Sequence, residues 1–391
     1  MAKKNANGDG SIYHRKDGRW CGAVTIGYDE NGKQKKKYLY DRDRGKLREK
    51  MLALQNDMAI NDGYVRDDDI TLSIWGNTYL KEFVKNKVRP STYDSYDLIL
   101  RKHIGEDSIS KMKLKDIKAF HLQRFLNTKS NLSKSYIKKI YMILDMLFSN
   151  AEKNDLIRKN PMIAVTIPKS EKKVKDIRAL TREEQIAYMN NLDCTNLKPL
   201  LLTCLFTGMR LGELMALDWE HVDLKKGEIK VEFSYKEVRM HDKAEPYWAL
   251  VKQPPKTSSG LRTIPIPPEI VKILKQHKVN QDSIALKIGK SEFNKENLVF
   301  CSEVGTPLSS RNIQRAHYSV CNKIGLHGIG FHALRHTFAT RMIEENVPVK
   351  TVQYWIGHSS IEITYNIYVH VQEESKKAAA QVQSDLFKKL I

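Results

Sequence analysis

The sequence predicts a multidomain protein that is mainly α-helical, with α+β parts towards both ends of the chain. Its 391 residues exceed the usual length of a single domain. A small sheet is predicted near the amino terminus, because β-type runs there flank the turn signal Asp17-Gly18. The segment that follows repeats apolar side chains every three or four positions, which indicates helices. The second half mixes helical patterns with a short predicted sheet near residues 229–266.

Residues 1–64 are predicted to form a three-stranded sheet covered by one helix. We expect strands at about 11–13, 19–26 and 35–40, a second turn at 29–32, and a helix over 42–60. The helix would pack on the sheet through Leu47, Met51, Leu54 and Met58.

This first segment is also strongly basic, with 14 Lys and Arg against 7 Asp and Glu in residues 1–50. A basic β element suits the major groove of DNA, and a solvated capping domain is the alternative. The candidate DNA contacts here are Arg15, Lys16, Arg19, Lys35, Lys36 and Lys37.

Residues 65–168 are predicted to be entirely helical. The apolar stripes that indicate core positions are Leu72, Trp75, Tyr79 and Phe83; Tyr93, Tyr96 and Leu100; Ile117, Phe120 and Phe125; and Ile137, Ile140, Tyr141, Leu144, Leu147, Phe148 and Ala151. Lys134, Lys138 and Lys139 lie on the other side of the last helix. They are either solvated lysines or contacts to DNA phosphates.

A charged linker is predicted at 169–178, before a last domain over 179–391. Thr181-Arg182-Glu183-Glu184 is a capping box that starts the first helix of this domain. The chain ends in an amphipathic helix that carries Ala379, Val382, Leu386 and Leu390. This helix packs either on its own domain or on a neighbouring protomer.

The net charge of the chain restricts its partners. The formal charge is +20 and the pI about 9.5, a balance that suits a phosphate polymer or an anionic membrane surface, although an inert basic surface remains an alternative.

No apolar run approaches the ~20 residues of a membrane span, and the amino terminus lacks a secretory signal. Five scattered cysteines indicate reduced thiols in a cytosolic protein rather than a zinc site or disulfides.

Two arginines and a tyrosine in the second half fit metal-free cleavage of a phosphodiester. Arg210 and Arg335 stay protonated, and their planar donor forks can neutralise the charge that grows on the phosphate. The phenol of Tyr368 can form a covalent phosphodiester that stores the bond energy for rejoining. We expect neither a metal ion nor a nucleotide cofactor. Tyr365 lies one helical turn earlier and is the rival nucleophile.

Other side chains supply the proton transfers and the support that this chemistry needs. Lys256, in a turn between predicted strands, can protonate the 5′ hydroxyl leaving group. His332 and His358 can accept the phenol proton or donate to phosphate oxygens. Glu213 is expected to orient Arg210 or a neighbouring histidine, and His336 is a second supporting residue.

The ordered motifs TGMRLGEL, KTSSGLRTIPI, HALRH, IGHSS and IYVH resemble those of the tyrosine recombinase, or phage integrase, family, with the look of conjugative-transposon integrases. The resemblance implies that Arg210, Lys256, His332, Arg335 and His358 form the catalytic shell and that Tyr368 is the nucleophile. A spacing of ten residues after His358 favours Tyr368 over Tyr365. The resemblance further implies an arm-binding domain over 1–64, a core-binding (SAM-like) domain over 65–168 and a mixed α/β catalytic domain over 179–391.

The resemblance also implies the biological activity, which is site-specific DNA recombination that integrates and excises a mobile element through a 3′-phosphotyrosine. The expected partners are double-stranded DNA at core and arm sites, a tetramer of this chain joined through the tail, an accessory DNA-bending protein and an excision factor. Two alternatives are a type IB-like topoisomerase and a non-catalytic DNA-binding regulator. The stretch 234–253 contacts DNA or another protomer, or is a plain surface insertion.

Overall fold

The computed structural model describes residues 11–28, 33–60, 70–172, 178–243, 245–255, 258–289, 292–362, 364–365 and 367–369. The chain forms two compact units, Met1–Val174 and Lys175–Ile391. Lys256, the turn at 29–32 and the tail helix fall outside the described residues. The division into three domains at 64, 168 and 178 stays a prediction.

A three-stranded antiparallel sheet, ordered β1-β2-β3, begins the first unit. Its elements are β1 Ser11–His14, β2 Trp20–Tyr28, β3 Gln34–Asp41 and the covering helix α1 Arg44–Ile60. Val24, Leu47 and Met51 form its buried core. The helix lies so close to the sheet that a Cβ on Gly22 would come 2.3 Å from the Met51 sulfur, so a larger residue there would displace the Met51 side chain.

The described residues from 70 onward in the first unit are mainly helical. Its helices are α2 Leu72–Thr78, α3 Pro90–Ile99, α4 Ala119–Asn127 and α5 Lys134–Lys153. Short π-helical segments, Tyr79–Val84 and Leu100–Ile104, continue α2 and α3. The stripe on α5 is buried as its spacing predicts, except that Tyr141 is half-buried, and Trp75 donates its indole N–H to the Leu147 carbonyl at 2.9 Å.

The prediction that Phe120 is a core residue is wrong. Its side chain is 64% exposed, whereas Ile117 and Phe125 are buried. Helix α4 begins only at Ala119, and Ile117 is extended backbone before it. The three residues therefore do not share one helical face, although their spacing alone indicated one.

In its described ranges, the second unit combines seven uninterrupted α-helices, and a helical stretch that carries Tyr365 and Tyr368, with two small sheets. The helices are α6 Arg182–Asn190, α7 Lys198–Thr207, α8 Leu211–Ala216, α9 Pro268–Ile288, α10 Ser310–Lys323, α11 His332–Glu344 and α12 Val349–Ile356. The strands are β4 Val222–Asp223, β5 Glu228–Val231, β6 Ser234–Met240, β7 Tyr247–Gln253 and β8 Arg262–Pro265. One sheet is ordered β4-β5-β8, and β6 with β7 forms a separate hairpin over the stretch 234–253.

Buried apolar residues from α7, α8, β5, β8 and α10 form the main core of this unit. The predicted capping box at Thr181 is present, since Thr181 and Glu184 cap the first turn of α6 reciprocally. All five cysteines are free thiols. Among the described residues, no helix has both the length and the apolar character needed to cross a membrane.

Candidate active site

Arg210 lies at the start of α8, where the backbone turns sharply from the preceding helix. Gly208 ends α7 with φ +63°, and a Cβ there would lie 2.6 Å from the Phe338 ring. The Glu213 carboxylate accepts the Arg210 backbone N–H at 2.8 Å and its Nη1–H at 2.7 Å. Glu213 thus caps the start of α8 and fixes the Arg210 side chain, because its carboxylate accepts hydrogen bonds from both the backbone and the guanidinium of Arg210.

Arg262 is a charged residue of this site that the sequence analysis did not single out. Its side chain is fully buried and donates to both Glu213 oxygens, at 3.1 and 2.8 Å. It also donates to the carbonyls of Trp355 at 2.6 Å and Gly260 at 3.1 Å. The one signal in the sequence is strand alternation, because Arg262 shares the buried face of β8 with Ile264.

The two arginines decide the charge of Glu213. Burial raises the pKa of this carboxyl, but the hydrogen bonds and positive charge of Arg262, together with the charge of Arg210, outweigh burial and leave the pKa below its usual value. Glu213 is therefore an ionised carboxylate shared between two guanidinium groups.

Arg335 projects from α11 into the same region. Its side chain is 3% exposed, and its Nη1–H donates to the Gly208 carbonyl at 2.7 Å. Nη2 has no hydrogen-bond partner among the described residues. Burial, followed by repulsion from Arg210, lowers the pKa of Arg335 to about 9. A cation that is buried with a donor unused is an arrangement that an incoming anion would complete.

Three histidines of the site lie close enough to these arginines for the positive charge to lower their pKa values. His332 begins α11 and His336 lies one turn later, with ring centroids 5.0 Å apart. His358 follows Gly357, which ends α12 with φ +66°, and the His358 Nδ1 lies 3.0 Å from the hydroxyl of the buried Thr364. Arg210 also reaches this segment, since its Nη2–H donates to the Gly357 carbonyl.

All three histidines are neutral at physiological pH. Desolvation and nearby positive charge lower the pKa of His332 to about 4 and that of His358 to about 3. Burial and then Arg335 lower the pKa of His336 as well. A neutral imidazole has one donor and one acceptor nitrogen, so each can either accept a proton or donate a hydrogen bond to a phosphate oxygen.

Tyr365 and Tyr368 lie beside each other on a helical stretch after His358. Their rings are 5.8 Å apart and tilted by 30°. Tyr365 is 53% exposed, whereas Tyr368 is half-buried and packs against a cluster that includes Phe338 and Ile356. Tyr368 is therefore the tyrosine whose ring is held by the domain that carries Arg335.

Most of the candidate DNA contacts of the first unit are exposed. Arg15, Lys16 and Arg19 are exposed at the turn between β1 and β2, where Arg19 forms an ion pair with Asp17 at 2.8 Å. Lys35, Lys36 and Lys37 lie on β3, and Lys36 is exposed. Lys134, Lys138 and Lys139 are exposed on α5, where Lys139 donates to Ser95 at 3.1 Å. Their role in binding stays a prediction.

Comparison with known proteins identifies the family of this chain. The profile of the Phage integrase family matches residues 176–375, and that of the phage integrase N-terminal SAM-like domain matches 71–130. A protein named tyrosine recombinase XerC-like, from Caldanaerobacter subterraneus subsp. tengcongensis, is 34% identical over 99% of this chain and 100% of its own length.

Two solved structures share the fold. The Tn1549 transposon integrase in complex with a circular intermediate DNA has a TM-score of 0.64 at 21% identity, covering 80% of this chain and 99% of its own. A lambda integrase tetramer bound to a Holliday junction has a TM-score of 0.54 at 20% identity, covering 93% and 96%.

The chain belongs to the phage integrase family, the tyrosine recombinases, which break and rejoin DNA. The predicted fold class and the prediction of a site-specific DNA recombinase are therefore confirmed.

Proposed function

We propose that this recombinase cuts DNA with Tyr368 and rejoins it through a 3′-phosphotyrosine. Arg210 and Arg335 bind the non-bridging oxygens of the scissile phosphate, and His332 and His358 exchange protons with the phenol and the phosphate. Glu213 and His336 hold these side chains in position. The observation that carries the proposal is the buried Arg335, whose Nη2 has no partner among the described residues and which lies in the field of Arg210.

The proposed reaction conserves the number of phosphodiester bonds. The Tyr368 oxygen loses its proton to a neutral histidine and attacks the phosphorus, while the bond to the 5′ oxygen breaks. Lys256, which the described residues do not include, protonates the leaving 5′ oxygen. The freed 5′ hydroxyl of a partner strand then attacks the phosphotyrosine and releases Tyr368. Each clamp donor is expected to contribute about 10²–10³ in rate.

The proposed substrate is double-stranded DNA at the ends of a mobile element. The likeness to a transposon integrase bound to a circular intermediate supports this assignment. We propose core-site binding by the helical 65–168 segment with the catalytic domain, and arm-site binding by residues 1–64. The exposed basic turn of that small sheet supports the second assignment.

The proposed assembly is a tetramer on DNA, which the lambda integrase tetramer on a Holliday junction supports by its shared fold. In this proposal the tail after Tyr368 joins protomers, and a DNA-bending protein and an excision factor assist. The compartment is the cytoplasm, where bacterial DNA lies.

A two-duplex assay tests the proposal against the topoisomerase alternative. The protein is incubated with two labelled duplexes that carry the ends of its element, and recombinant strands and covalent complexes are measured. Tyr368→Phe is expected to lose both products while binding DNA normally, and Tyr365→Phe is the matched control that keeps them. Relaxation of supercoils without exchanged strands would instead identify a topoisomerase.

A further inference from the structure

We propose that Arg262 is a positioning residue that holds Arg210 in place for cleavage by fixing both of its anchors. The inference rests on the proposed role of Arg210 in binding the scissile phosphate.

The first anchor is the Glu213 carboxylate. It accepts two hydrogen bonds from Arg210, through the backbone N–H and Nη1, and two from Arg262, through Nη1 and Nη2. Glu213 is 4% exposed and the Arg262 side chain is not exposed at all. Because all four bonds converge on one carboxylate, the direction of the Glu213 oxygens toward Arg210 depends on Arg262.

The second anchor is the Gly357 carbonyl, which accepts a hydrogen bond from Arg210 Nη2. Arg262 lies directly behind this residue, since a Cβ on Gly357 would come 3.1 Å from Cζ, Nε and Nη1 of its guanidinium. The Arg262 Nε–H also donates to the Trp355 carbonyl, two residues before Gly357. The guanidinium therefore supports the end of α12 from which His358 follows.

Charge explains why a neutral residue cannot replace Arg262 without affecting Arg210. A buried carboxylate with one cationic partner draws that partner's donors toward itself, or it becomes protonated. With Arg262 present, the Glu213 carboxylate receives two hydrogen bonds and a positive charge from a buried side chain. The Arg210 side chain, 40% exposed, can then present its remaining donors outward to a phosphate.

A double-mutant cycle tests the inference in the full-length protein. Arg262→Gln is measured alone and in the Arg210→Ala background, using a suicide DNA substrate that accumulates covalent complex, at saturating DNA. We expect Arg262→Gln alone to slow cleavage by about 10²-fold, because small displacements of a catalytic group have effects of that size. In the Arg210→Ala background the same change is expected to slow cleavage by less than about threefold, since the group through which it acts is gone.

Two further variants separate positioning from stability. Arg262→Lys keeps the positive charge beside Glu213, so it is expected to fold and to retain more cleavage activity than Arg262→Gln. If the glutamine variant unfolds, the lysine variant still tests the inference. Arg341→Gln is the matched control, because Arg341 is a largely buried arginine whose partners are Glu344, Gln185 and the Leu180 carbonyl. It is expected to lower the melting temperature yet leave the cleavage rate at saturating DNA unchanged.

The outcomes are distinct. Equal losses from Arg262→Gln in both backgrounds, or normal cleavage by both Arg262 variants, would overturn the positioning role. Normal cleavage by Arg210→Ala would instead refute the proposed function on which the inference rests.

Discussion

Replacing Arg335 by methionine is expected to stabilise the DNA-free protein while abolishing cleavage. The residue is 3% exposed, and burial together with repulsion from Arg210 disfavours its charge and lowers its pKa to about 9. Against an ordinary value of about 12.5, the difference corresponds to a cost of about 5 kcal/mol. Loss of the hydrogen bond to the Gly208 carbonyl offsets about 1–3 kcal/mol of this gain.

The net gain is thus about 2–4 kcal/mol, which for a unit of this size raises the melting temperature by at least about 4 °C. Thermal unfolding of the free full-length protein measures this change, and the suicide-substrate assay measures cleavage in parallel. DNA should stabilise the parent protein more than the variant, because the phosphate supplies the missing partner of the guanidinium.

Arg341→Met is the control on the same helix. Its guanidinium has carboxylate, amide and carbonyl partners, so its removal is expected to lower the melting temperature. If Arg335→Met lowered the melting temperature as much as Arg341→Met does, Arg335 would be a structural residue, and the reasoning about an unsatisfied buried cation would be refuted.

Three further predictions concern Thr364, the histidines and salt. Thr364→Val removes the partner of His358 Nδ1 and is expected to slow cleavage at saturating DNA by about 10-fold, with binding unchanged, whereas an unaltered rate would show that the contact is dispensable. Because the pKa values of His332 and His358 lie below the ordinary value, their ¹³C NMR resonances should not titrate between about pH 8 and pH 6, and midpoints near about 6.5 would contradict this. The unfolded chain binds these protons at a higher pH than the folded chain does, so the stability of the fold should fall as the pH is lowered from about 6.5 to about 4. DNA affinity should fall with salt at a log-log slope of about −7 if roughly eight phosphates are neutralised, and a flat response would remove the electrostatic argument.

The sequence predicted features whose causes are local. The stripe from Ile137 to Ala151, apart from the half-buried Tyr141, is buried on one helix because helical spacing places those residues on one face. The capping box at Thr181 and the turn at Asp17-Gly18 depend on neighbours within four residues, so their patterns are complete in the sequence. The error at Phe120 arose where the pattern crossed the true start of a helix.

Contacts between distant segments were beyond this kind of reasoning. Arg262 meets Glu213 across 49 positions and Trp355 across 93, and no spacing rule connects them. The Arg335 Nη2, which has no partner in the described part of the chain, is likewise a property of packing, since it depends on which side chains surround α11. The motifs identified Arg210 and Glu213, but Arg262 and its hydrogen bonds to the same carboxylate appeared only in the folded chain.

The covalent bond itself is the most direct test of the account. Purified protein is incubated with a suicide substrate in EDTA, the adduct is digested, and mass spectrometry locates the nucleotide on the peptide. We predict a 3′-phosphorylated DNA end attached to Tyr368, formed without added metal. Cleavage that requires Mg²⁺ and leaves no protein on the nicked strand, or an adduct on Tyr365, would contradict it.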